Sequence, residues 1–355
     1  MCVFGGHHAG YPRSAVILSG LRRLGVPVVM CTSSPRCKAP RRYGALIAAY
    51  RRLHAEFDVV FVPEFRHKDV PLAWALARMS GKACVFDPLV SRYDTRVHDR
   101  GDADRGGLQA WHNRNLDRVT MSLPDLVLAD TREHARYYAA SLAAPDARIR
   151  VLEVGYDDET FRPTPQPSAG SNVRVLFYGS YLPLHGVDVI VDAASRLRSQ
   201  EHIRFELVGG GQTFGDVEQA VRARDLHNVT LSPRVDPDAL PARIASASIC
   251  LGIFGRTAKA GRVVPNKVYQ CMGMERVVVT ADSPAVREHF ADGRDVVLVP
   301  GGDGSALAQA IVALAADAGR RQRIAEAAGQ RVRLGFSPVP IARRFVDYCD
   351  EVINA

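Results

Sequence analysis

The sequence predicts an α/β fold of two doubly wound, Rossmann-like domains, each built on a parallel sheet covered on both faces. Three observations carry this. The chain has 355 residues, beyond the size at which one hydrophobic core keeps growing. Its apolar residues fall in short runs rich in Val, Ile and Leu, each followed by a segment of helical periodicity, as in sheets whose strands are buried on both sides. A proline-rich stretch, Phe161-Arg-Pro-Thr-Pro-Gln-Pro-Ser-Ala-Gly-Ser-Asn172, separates two such series and reads as a linker.

Taken in order, the first series predicts strands at 2–5, 27–31, 58–62, 83–87, 126–129 and 150–154, with helices between them. The second predicts strands at 173–179, 203–208, 229–232, 249–253, 276–280 and 296–300. The expected organisation is a first domain over 1–160, a linker over 161–172, a second domain over 173–336 and a terminal helix over 337–355. That helix carries Ile341, Phe345, Tyr348 and Val352 on one face, which predicts packing across the domains. The helix over 39–53 aligns Tyr43, Leu46, Ile47, Tyr50 and Leu53 in a stripe flanked by arginines. Two readings stand, a core-facing helix with a basic solvent side, which is favoured, and peripheral contact with an anionic membrane.

Composition narrows the function classes. With 47% hydrophobic residues and 24% charged the chain can bury a core, yet no apolar run is long enough to cross a bilayer. The start, Met1-Cys-Val-Phe-Gly-Gly, lacks the charged leader and apolar segment of a secretory signal, so a cytoplasmic protein is expected, peripheral to the inner membrane face on the second reading of helix 39–53. The 7 cysteines are scattered, without a C-x-x-C pair, which fits reduced thiols rather than disulfides or zinc. The net charge is +8, and no acidic residue precedes Glu56 although nine Arg and Lys do. Such a field either draws an anionic partner, a phosphorylated substrate, acidic lipid or nucleic acid, or is a solubilising face. Nucleic acid is excluded as that partner, because the basic run lacks interleaved aromatics and any nucleic-acid-binding signature.

The segment 259–270, Lys-Ala-Gly-Arg-Val-Val-Pro-Asn-Lys-Val-Tyr-Gln, is a cationic loop entering a helix. Pro265 suits the first helical position, free N–H groups beside it carry the positive end of the helix dipole, and Lys267 adds a full charge. Gln270 lies three residues on, on the same face. This is a design for holding phosphates, and the alternative is a surface helix preceded by solvated bases. Gly5-Gly6-His7-His8 and Gly179-Ser180-Tyr181 each follow a first strand, where glycine lets a backbone approach a ligand. His7 and His8 have no third metal ligand at useful spacing. Asp102-Ala-Asp104 falls in a charged, glycine-flanked loop and reads as solvated.

In this order and spacing the residues resemble glycosyltransferases of the GT-B architecture, specifically the retaining family 4. The resemblance is carried by Val175-Leu-Phe-Tyr-Gly-Ser-Tyr-Leu-Pro-Leu-His-Gly186, Leu207-Val-Gly-Gly-Gly211, Cys250-Leu-Gly-Ile-Phe-Gly255, Val264-Pro-Asn-Lys-Val-Tyr-Gln270 and Val277-Val-Val-Thr-Ala-Asp282. In the first half it rests on Phe86-Asp-Pro-Leu-Val-Ser-Arg-Tyr-Asp-Thr95 and Asp130-Thr-Arg-Glu-His134. It implies a nucleotide sugar, UDP- or GDP-linked, held mainly by the second domain. It also implies a hydroxyl acceptor, whether small molecule, glycan or lipid-linked, held mainly by the first domain. Transfer would occur in a central cleft with retention, with neither metal nor cofactor.

Carried onto this chain, the resemblance makes Asp87, Arg262 and Lys267 the catalytic candidates. The donor would be held by Gly5, Gly6, Gly179, Ser180, His185, Gly210, Arg262, Pro265, Asn266, Lys267 and Gln270, and the acceptor by His7, His67, Asp87, Tyr93 and Asp94. Three departures stand out. His185-Gly186 replaces a Lys-Gly, Arg262 and Gln270 stand where two glutamates are usual, and Asp87 replaces a histidine. Asp87 either bonds a sugar or acceptor hydroxyl or caps the following turn. His67 either touches a ligand or is solvated, and the latter is favoured. Tyr93 and Asp94 either line the acceptor site or form a turn with an exposed aromatic. The missing glutamates keep two other readings open, a nucleotide-sugar epimerase of the same architecture and a non-catalytic binder or pseudoglycosyltransferase.

Overall fold

The computed structural model describes residues 1–6, 11–33, 39–166 and 172–354; His7 and His8 lie outside them. The chain divides into two compact units, one formed by residues 1–155 with 337–355 and the other by 156–336.

The first unit runs β1 (Cys2–Gly5), α1 (Pro12–Arg23), β2 (Val29–Thr32), α2 (Ala39–Leu53), β3 (Val59–Val62), α3 (Val70–Met79), β4 (Ala83–Phe86), α4 (Leu108–Ser122), β5 (Leu126–Ala129), α5 (Arg132–Leu142) and β6 (Ile149–Val151). Its sheet has the order β2-β1-β3-β4-β5-β6, with every pair parallel. All four residues of β1, β3, β4 and β5 are buried, which is what a sheet covered on both faces requires. The apolar stripe of α2 turns inward, with Leu46 and Tyr50 in the core and Tyr43 and Leu53 packed against it. The favoured reading of that helix therefore holds, and its solvent side carries the exposed Arg41, Arg51 and Arg52 with Gly44, Ala45 and Ala48.

The second unit runs β7 (Val173–Ser180), α6 (Val187–Arg196), β8 (Ile203–Gly210), α7 (Phe214–Ala223), β9 (Val229–Ser232), α8 (Leu240–Ala245), β10 (Ile249–Leu251), α9 (Asn266–Gly273), β11 (Val277–Ala281), α10 (Pro284–Arg287), β12 (Val297–Val299), α11 (Gly304–Ala316) and α12 (Ala318–Phe336). Its parallel sheet is ordered β12-β11-β10-β7-β8-β9. In both units the order reverses beside the first strand, the switch point at which loops diverge and ligands bind beyond the carboxyl ends of the strands.

The unit boundaries differ from those expected. The chain enters the second unit at Tyr156, ahead of the proline-rich segment. Arg276 accounts for this. Its side chain is fully buried and donates to the carbonyls of Thr164, Pro165 and Ala245 and to the Thr164 hydroxyl at 2.7–3.1 Å. Composition suggests a loose linker, but this guanidinium fastens its described part to the second unit. The last helix, α13 (Pro338–Ile353), belongs to the first unit. It meets α1 so closely that a Cβ on Gly20 would stand 2.0 Å from the Pro338 carbonyl oxygen, and Phe345 packs on Phe61 at 4.9 Å between ring centroids.

Candidate functional site

In the second unit the strand ends and the start of α9 bring several expected residues together. Pro265 is the cap before α9 rather than its first residue, with φ −71° and ψ 151°. Asn266 is therefore the first helical position, and its N–H and that of Lys267 belong to the first turn, which has no intrahelical partners for them. The Lys267 side chain folds back under this turn. It is 5% exposed, its ammonium sits 4.0 Å from the centroid of the Phe177 ring, and it has no hydrogen-bond partner among the described residues. Burial lowers its pKa to about 7, with only the Cys271 thiol opposing the shift.

Gly179 makes this approach possible. Its φ of 147° suits only glycine, and a Cβ there would stand 3.0 Å from the Lys267 nitrogen and 3.4 Å from His185 Cε1. Gly179, His185 and Lys267 are thus one cluster. Burial, reinforced by the Lys267 charge, holds His185 well below its ordinary pKa, so it is neutral and supplies no second cation. Gln270, one turn along α9, accepts from the Tyr178 hydroxyl at 2.8 Å. Ser180 pairs in register with Gly210, and Gly210 lines a cavity of about 530 Å³ with Gly209, Gly211, Phe214, Pro233 and Arg234. Phe214 packs edge-on against Tyr181 at 5.4 Å. Arg262 ends a short turn, Ala260–Arg262, anchored by Ala260 and Val263 in a small apolar cluster with Leu184 and Ile253.

In the first unit the strand ends are polar, buried and matched among themselves. Gly5 (φ 115°) and Gly6 were expected to offer their backbone to phosphate. Instead the Gly6 N–H donates to Asp69 Oδ2 at 3.1 Å, and a Cβ on Gly5 would lie 2.9 Å from that same oxygen. The neighbouring carboxylate is itself paired with Arg42 at 2.7 Å, so in this structure the Gly6 N–H is engaged within the fold. Asp87 is fully buried and ion-paired with the Arg13 guanidinium, which also donates to the Leu152 carbonyl at 2.9 Å. Its other oxygen accepts from Leu89 N–H at 3.1 Å. Of the two readings of Asp87, the capping contact is the one present.

His67 is not solvated. It is 1% exposed, edge-on to Phe86 at 5.1 Å and 3.5 Å from Asp117. Burial, aided by the Arg92 charge, lowers its pKa to about 3, so the ring is neutral. Tyr93 is half-buried between His98, 5.2 Å away edge-on, and the Arg114 guanidinium, 5.7 Å from its ring. Asp94 is buried and opens a π-helical turn, Asp94–Asp99, with its N–H on Ser91 Oγ at 2.9 Å. Sequence reasoning missed Glu64, which accepts from Ser14 Oγ and whose pKa burial and the Asp87 charge raise to about 7. It also missed Arg13 and Tyr178. Among the described residues no group of three or more His, Cys, Asp or Glu could hold a metal ion, and no helix is long and apolar enough to cross a membrane.

Residues 172–317 match the family model for glycosyl transferases group 1. The chain is 26% identical over 292 residues to a phosphatidyl-myo-inositol mannosyltransferase of Mycobacterium leprae, covering 78% of this chain and 69% of the relative. It is 28% identical over 171 residues to an alpha-D-kanosaminyltransferase of Streptomyces kanamyceticus, covering 48% and 41%. It is 30% identical over 231 residues to a D-inositol 3-phosphate glycosyltransferase of Xylanimonas cellulosilytica, covering 60% and 54%. The matches thus span about half the length of the latter two relatives. Among solved structures, Anabaena HepE in complex with UDP superposes with a TM-score of 0.73 at 15% identity, covering 99% of each chain. Sucrose-phosphate synthase of Thermosynechococcus elongatus gives 0.70 at 16% identity, covering 91% of this chain and 81% of the other. Residues 172–317 are therefore a group 1 glycosyltransferase domain, carried in a chain whose two six-stranded parallel sheets are those of the GT-B architecture.

Proposed function

We propose that the chain is a retaining glycosyltransferase that moves a sugar from a nucleoside-diphosphate sugar to a hydroxyl acceptor without a divalent ion. The observation that carries this is the Lys267 ammonium, buried at the start of α9 with no carboxylate to neutralise it among the described residues. Holding an unpaired charge away from water is costly. An anionic ligand offsets that cost, and the departing diphosphate is one whose growing charge needs fixed donors. The Asn266 and Lys267 N–H groups add the dipole end of the helix. Arg262 contributes a second cation, Gly179 and Ser180 the loop beside the phosphates, and Gln270 a contact to the ribose.

HepE was solved with UDP bound, and the three relatives above are named for glycosyl transfer; both support a nucleotide-sugar donor. In a retaining front-face reaction the leaving phosphate takes the acceptor's proton, so no side-chain base is required. Asp87, held by Arg13, then acts as a positioning residue for the acceptor unit rather than as a contact to the reacting hydroxyl. The six described cysteines are free and buried, in keeping with a reducing, cytoplasmic setting.

A thermal-shift panel of UDP, GDP, ADP, dTDP and CDP identifies the base, since a ligand of the folded state raises its melting point. Nucleotide release and product mass with candidate hydroxyl acceptors then test transfer, and excess EDTA leaves the rate unchanged. Nucleotide binding without glycosylated product from any acceptor would favour the non-catalytic reading, and sugar inversion without acceptor the epimerase.

A further inference from the structure

Tyr178 is the last residue of β7 before Gly179, and it is 8% exposed. Its hydroxyl lies 2.8 Å from Gln270 Oε1 and 3.7 Å from the Cys271 sulfur, which donates to it. The hydroxyl has a single hydrogen. With the thiol directed at its oxygen, that hydrogen goes to Oε1. A reversed Gln270 amide would leave the buried hydroxyl hydrogen only the thiol sulfur, a weak acceptor, and a buried unmade bond is costly. The thiol, hydroxyl and amide therefore form a chain of donors with one direction. Its end is the Gln270 Nε2 group, for which no hydrogen-bond partner is found among the described residues.

We infer that Tyr178 is a positioning residue that fixes the Gln270 amide with its N–H₂ group toward the ligand, so that this chain holds the ribose of its nucleotide by donating a hydrogen bond to a hydroxyl oxygen. A carboxylate at position 270 can only accept, and takes the hydrogen from the hydroxyl instead. The substitution of an amide for a carboxylate thus reverses the polarity of the contact. Residue 178 sets that polarity through an oxygen that does not itself touch the ribose. The inference rests on the nucleotide reading of this site.

Calorimetry tests it with the diphosphate that stabilises the chain most in the panel above and with its 2′- and 3′-deoxy and deoxyfluoro forms. Fluorine keeps an acceptor but has no hydrogen to give. The deoxy form at the contacted carbon is expected to bind about tenfold more weakly than the parent, and its fluoro counterpart to recover about threefold of this. In Gln270→Glu the deoxy and fluoro forms bind equally. In Tyr178→Phe the amide is free to turn and the fluorine advantage disappears, while the effect of Lys267→Ala on the parent is unchanged.

Equal binding of deoxy and fluoro forms by the unmodified chain, or a fluorine advantage that survives Tyr178→Phe, overturns the proposal. So does binding that depends on Lys267 but ignores both ribose hydroxyls, an outcome that leaves the nucleotide reading intact. Failure of every diphosphate in the panel to bind removes both. Should Tyr178→Phe not fold, the comparison of the unmodified chain with Gln270→Glu still decides.

Discussion

The strand ends of the two units treat charge in opposite ways. In the first unit cations and carboxylates answer one another inside the fold, Arg13 with Asp87 and Arg42 with Asp69. In the second, Lys267 stands over an aromatic ring with no acid beside it among the described residues. A matched buried charge is a structural element, costly to disturb and with little attraction left for a ligand. An unmatched one costs stability in the free protein and recovers it on binding an anion. The contrast supports the proposal that the phosphate ligand is held by the second unit, even though the first carries the acid-free basic N-terminal stretch.

The largest effect that would break this contrast is on stability. Arg13→Met leaves Asp87 buried without its cation and should destabilise the first unit by about 3–5 kcal/mol, read from denaturant midpoints. Lys267→Met, which removes a lone buried charge and keeps the aliphatic packing on Phe177, should be neutral or stabilising. A large loss from Lys267→Met would mean that its charge is matched after all.

Binding should show the reverse order. Lys267→Ala is expected to weaken nucleoside diphosphate affinity by about tenfold to a hundredfold, the worth of a charge-assisted bond. An unchanged affinity by calorimetry removes Lys267 from the site. The pH dependence sharpens the same point. In the free protein Lys267 loses its proton near pH 7, and a bound phosphate raises that value. Between the two pKa values binding takes up a proton, so affinity falls as pH rises above 7, by less than about tenfold per unit. Calorimetry in buffers of different ionisation enthalpy should detect that uptake at pH 8 and find none in Lys267→Ala.

The smallest effect concerns Glu64, a buried acid of the first unit whose pKa burial raises, as it does those of Asp87 and Asp117. Because its folded value is about 7 and its unfolded value near 4.5, the folded state binds more protons across that window. Stability is lost as pH rises through it and is lowest above 7. Glu64→Gln should raise the melting temperature by about a few degrees at pH 8, with the gain shrinking toward pH 5. An equal gain at both would mean that ionisation is not the cause.

Much of this was legible from residue order. Each strand of the two sheets falls on an expected apolar run, because a strand buried on both faces must be apolar throughout. The ends moved by one to three residues, as where Val29 rather than Pro27 opens β2 and Val151 closes β6. Lys267 was legible because proline, basic loop and helix start are local signals. Contacts across the fold were not. Nothing near Gly6 announces that Asp69 will take its N–H, and the proline-rich segment says linker until Arg276, over a hundred residues later, gathers its carbonyls. Arg276 itself read as the first residue of a strand. Tyr178 read as one more apolar strand residue, since its hydroxyl matters only once α9 lies beside it.

The return of α13 to the first unit has a consequence for how the chain is made. Residues 156–336 form a continuous unit whose every element is present once Phe336 has left the ribosome. The first unit is not complete at that moment, because the surface of α1 around Gly20 waits for a helix more than three hundred residues downstream. Although an N-terminal domain ordinarily finishes first during synthesis, the residues that complete the first unit here are made after all those of the second. Until residues 338–353 are made, α1 lacks the helix that packs on it at Gly20.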